Sequence, residues 1–79
     1  MVGNLIYLLY RQNMKTHQIE LIAPHATFDG AFKQLNENRK YYEERGLPVA
    51  TFEDCSFLVK DRLGETSSYF FVSTRTILE

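Results

Sequence analysis

Apolar and polar residues follow two different periods along this chain, and the change between them divides it into elements. Residues 5–10 (Leu5, Ile6, Tyr7, Leu8, Leu9, Tyr10) form a near-continuous apolar run between Gly3-Asn4 and a polar stretch. This is the signature of an inner strand with both faces at least partly covered. Residues 12–16 supply a turn. Residues 18–23 then alternate, with Ile19, Leu21 and Ala23 on one face and Glu20 and Ile22 on the other, until Pro24 stops the strand. From Phe28 the period lengthens to about 3.6, and Phe28, Ala31, Phe32, Leu35 and Tyr42 fall in one stripe. A helix over 28–45 follows. Thr27 suits its N-cap, Asp29 its first turn and Arg45 its last, and Gly46 suits the left-handed position beyond it. Gly30 weakens the early helix but permits close approach to the sheet.

Beyond the helix, residues 47–51 read as a connector held by Pro48, and residues 52–60 as a third strand with Cys55, Phe57 and Val59 on one face. A turn around Gly64 leads to a fourth strand over 67–76, centred on the strongly β-prone Tyr69-Phe70-Phe71-Val72. The expected fold is α+β in the order ββαββ. It has a four-stranded antiparallel sheet, order 2-1-3-4, with one amphipathic helix on one face. The alternative, with strand four beside strand one, requires a parallel pair. All 79 residues fit one small domain.

Within the helix two residues break the stripe. At about 100° per residue Arg39 falls between Leu35 and Tyr42, whereas Tyr41 falls outside. Arg39 is therefore expected to snorkel to the sheet edge or to pair with a carboxylate, and Tyr41 to be free for a partner.

The formal charge of −1, with nine basic and ten acidic residues dispersed along the chain, implies no strong field and argues against nonspecific binding to DNA or an anionic membrane. The single cysteine cannot form an internal disulfide, so a reducing cytoplasm is the expected setting. Residues 5–10 are too short for a membrane span and lack a basic segment before them.

The chemistry-bearing residues do not assemble a catalytic motif. His17 and His25 have no metal-ligand spacing to other donors, and Cys55 follows Glu53-Asp54, which disfavours a thiolate. The glycines at 3, 30, 46 and 64 are isolated, so no phosphate-binding loop or nucleophile elbow is present. No enzyme, cofactor, metal or small-molecule ligand is expected.

A single helix cannot cover both faces of the sheet. The candidate interface therefore comprises Tyr7, Tyr10, Ile22, Tyr69, Phe71 and Arg75, with Arg39 and Tyr41 from the helix, and suits a protein partner or a homodimer. The alternative is a single-stranded nucleic-acid platform on the last strand. Tyr69, Phe71 and Val72 loosely resemble the aromatic strand of the RNA-recognition motif, but the basic residue and glycine that precede those aromatics are missing, as is a second helix. In size and element order the chain is similar to short, uncharacterised ββα-containing proteins of bacteria and phages. That resemblance implies an accessory or inhibitory role exercised by binding another protein, and it assigns no site residues.

Overall fold

The computed structural model describes residues 3–53 and 56–78. The chain runs β1 (Gly3–Asn13), β2 (Ile19–His25), α1 (Phe28–Glu44), β3 (Val49–Thr51), β4 (Phe57–Lys60) and β5 (Thr66–Leu78). The strands form one antiparallel sheet in the order β2-β1-β5-β4-β3.

The α+β class and the helix agree with the sequence pattern; the four-stranded sheet of order 2-1-3-4 does not. The connector carrying Pro48 contributes a strand of its own, β3, and the expected third strand shortens to Phe57–Lys60. This extra strand explains the change of order. α1 returns the chain to the end of the sheet where β2 starts, and β3 makes the expected pass back. The reversal between Thr51 and Phe57, closed by the Phe52 N–H donating to the Ser56 carbonyl at 2.9 Å, sends β4 the other way. β5 then runs antiparallel to β1 and pairs with it over its whole length. The parallel pair that counted against this order never arises. Cys55, expected on the face of Phe57 and Val59, lies outside the described residues, as does Asp54.

Both helix ends are closed by backbone chemistry. Thr27 is extended (φ −128°, ψ 151°) and its Oγ1 accepts the Gly30 N–H at 3.1 Å. At the other end Arg45 is the C-cap itself, one position beyond the last turn. Gly46, at φ 76°, donates to the Glu43 carbonyl and Leu47 to that of Tyr42. These two bonds are the paired bonds of a Schellman stop, and only a glycine takes its left-handed position without strain.

α1 packs on one sheet face. Leu35 meets Leu9, Phe57, Val59 and Phe70, with Ile22, Tyr42, Leu47, Val49 and Val72 around them. Phe57 and Phe70, cross-strand partners, stack at 4.7 Å and 10°. A register shift in the β1–β2 pairing lies between Leu9, opposite Ala23, and Tyr10, opposite Leu21, leaving Ile22 as the extra residue. The shift breaks the expected alternation: Ala23 shares the row of Leu9, while Ile19 and Leu21 turn to the other face and stay 57% and 50% exposed.

Candidate functional site

Cross-strand partners stand side by side on one face of a sheet, so the pairing registers define what lies opposite the helix. One row runs Leu21, Tyr10, Phe71; the next runs Ile19, Gln12, Tyr69, Leu58, Ala50. Neither row contains a charged residue. Further along, Leu8 lies between Pro24 and Ser73, and Ile6 lies opposite Arg75. No helix covers this face among the described residues.

The aromatic rings of these rows form a continuous ladder. Tyr10 and Phe71 stack at 5.4 Å and 23°, Phe71 and Tyr69 at 5.2 Å and 21°, and Phe52 closes the series edge-on to Tyr69 at 6.2 Å and 77°. Rings this close and this nearly parallel cannot lie flat beside one another on the sheet. They stand upright in offset stacks, sharing their π faces and turning their edges outward. The Tyr69 hydroxyl is fixed further by donating to Ser56 Oγ at 3.1 Å. Beside the ladder, Gln12, Met14, Phe52, Glu53, Ser56, Leu58 and Tyr69 line an open groove of about 720 Å³.

The structure thus brings together Tyr10, Tyr69 and Phe71, with Arg75 farther along the same face. It separates the other expected interface residues from them. Tyr7 lies on the helix side, its ring edge-on to Phe28 at 5.8 Å, and Ile22 packs against the core. Arg39 pairs with Glu43 at 3.5 Å, one helical turn on, which is the carboxylate pairing its position called for. Tyr41 is exposed, but its ring carries the Arg45 guanidinium at 3.5 Å from its centroid. Phe52, Leu58, Ile19 and Leu21 belong to the open face; Leu58 lies on the side opposite Phe57 and Val59 as the alternation of its strand predicts, whereas Phe52, Ile19 and Leu21 were not legible as members of it. Phe52 reads as the first residue of a strand in the sequence, and Ile19 and Leu21 as a face shared with Ala23.

The histidines lie apart from the ladder. His17 occupies the β1–β2 turn in the left-handed region (φ 65°), and His25 Nε2 is 2.5 Å from Gln34 Oε1. Among the described residues no three His, Cys, Asp or Glu side chains group as metal ligands, and no helix is long and apolar enough to cross a membrane. Comparisons with protein-family models, curated proteins and solved structures give no match.

Proposed function

We propose that this chain is a small non-enzymatic protein-binding or regulatory protein, of the bacterial or phage accessory kind and at work in the cytoplasm, whose open sheet face docks a protein partner. The observation that carries the reading is the Tyr10–Phe71–Tyr69 ladder, standing on a face that no helix of the described residues covers, in rows without a charged residue. Aromatic side chains present a large apolar area at low entropic cost, and such clusters hold much of the binding energy at protein interfaces. The chemistry fits an apolar, uncharged protein surface.

The same ladder argues against single-stranded nucleic acid. A stacking platform needs free ring faces and a basic track for the backbone, whereas here Phe71 has a ring on each side and Arg75 lies rows away. Site-specific photo-crosslinking in the native host tests the assignment, with the probe at Phe71 or Leu21 and a control at Lys40 on the exposed helix face. A discrete protein adduct from the sheet positions and none from Lys40 supports it. Adducts to nucleic acid, or to protein only from Lys40, overturn it.

A further inference from the structure

Besides the short end of β1 that β2 does not reach (residues 3–6), the sheet has three free edges among the described residues, and two carry the devices by which free edges resist pairing. β2 holds Glu20, Pro24 and the extra residue at Ile22; β3 is only three residues long. The third edge is different. β4 pairs with β5 no farther than Phe70, so residues 71–78 of β5 have β1 on one side and no described strand on the other. This stretch has no proline, no bulge in its pairing with β1, and Arg75 as its sole charge.

Backbone geometry says which groups the edge offers. The Met14 N–H donates to the Ser67 carbonyl at 3.0 Å, extending the unbroken β1–β5 register by one pair. Both polar groups of an antiparallel residue point the same way and alternate along the strand. Phe71, Ser73 and Arg75 therefore bond to β1, while Val72, Thr74 and Thr76 point outward. The Lys60 N–H donating to the Pro48 carbonyl gives the same phase from the other side, since it leaves Val59 and Phe57 to bond Ser68 and Phe70.

We infer that this edge pairs with a second copy of the chain. An antiparallel edge is complementary to itself about a twofold axis. With Thr74 opposite the partner's Thr74, Val72 meets the partner's Thr76 and Ser73 the partner's Arg75. All outward groups between 72 and 76 then find mates, and no like charges meet. The register one step on would set Arg75 against the partner's Arg75 and is disfavoured. The result is a sheet continuous through both copies with the two aromatic ladders on it. The pairing uses backbone groups alone and does not depend on what the ladder binds.

Light scattering and amide exchange on the wild-type chain over a dilution series test this directly. The expected result is a discrete dimer whose Thr74 and Thr76 N–H groups are protected and become labile as it dissociates, while those of Ser73 and Arg75 stay protected throughout. A monomer at every concentration, or a dimer with labile Thr74 and Thr76, overturns the proposal. Thr74→Lys and Thr74→Glu, each folded by circular dichroism, should each weaken the dimer about five- to tenfold, and an equimolar mixture should restore it. Equal association of both variants alone and mixed contradicts the register.

Discussion

Lys15 Nζ lies 2.9 Å from Asp61 Oδ2, joining the β1–β2 turn to the β4–β5 turn across 46 residues of sequence. Asp61 also organises its own turn, its Oδ1 accepting the Leu63 N–H at 2.9 Å and the Glu65 N–H at 3.1 Å. One carboxylate therefore sets the β4–β5 reversal and anchors it to the neighbouring turn.

These contacts make stability depend on pH in a defined direction. The Lys15 hydrogen bond, then the backbone N–H of Glu65, hold the Asp61 carboxyl below its ordinary value of 3.8. A depressed carboxyl stabilises the fold above its unfolded-state value, and that contribution is lost as pH falls through the folded one. The clasp should thus be intact at neutral pH and fail below about 3.8. Denaturant midpoints measured against pH should show this acid limb reduced in Asp61→Asn. Asp61 raises the Lys15 value above 10.5, so the Lys15 contribution is lost at alkaline pH, above that value.

Gly30 should not behave as an ordinary helix glycine. Replacement by alanine would gain about 1 kcal/mol from helix propensity alone. An added Cβ, however, would sit 3.2 Å from His25 Nδ1 and 3.2 Å from the capping Thr27 Oγ1. Gly30→Ala is expected to show none of that gain in chemical denaturation, and His25→Ala/Gly30→Ala to recover part of it. Thr27→Ala, which removes the cap, should cost about 1 kcal/mol.

Phe70 and Phe71 are adjacent but face opposite sides of the sheet, so truncating them should separate stability from binding. Phe70 is 2% exposed and stacked on Phe57, and Phe70→Ala should cost about 3–5 kcal/mol. Phe71 is only half-buried in the ladder, and Phe71→Ala should cost about 1–2 kcal/mol and leave a folded protein. Thermal unfolding of the two variants provides the comparison.

The parts of the fold that were legible in the sequence are those set by local chemistry. The helix limits follow from Thr27 and Gly46, and the Tyr69–Val72 strand from its β-prone side chains. The fifth strand was hidden because residues 49–51 are too few to show a period, and Pro48 reads as a linker. Strand order followed from that omission, since one missed reversal inverts the direction of everything after it. Within the site, Tyr10, Tyr69 and Phe71 were visible as aromatics of alternating strands. Tyr7 was placed by its register on the helix side, and Ile22 by the bulge, neither of which a single strand's pattern reveals.

The central claim is that the partner docks on the upright aromatic ladder, and its most direct test is the affinity of the isolated complex for wild type, Phe71→Ala and Lys40→Ala. With the crosslinked partner purified, Phe71→Ala should weaken binding by more than tenfold, the loss of a hot-spot side chain of about 2 kcal/mol, and Lys40→Ala should bind like wild type. A folded Phe71→Ala that binds with wild-type affinity would contradict the account.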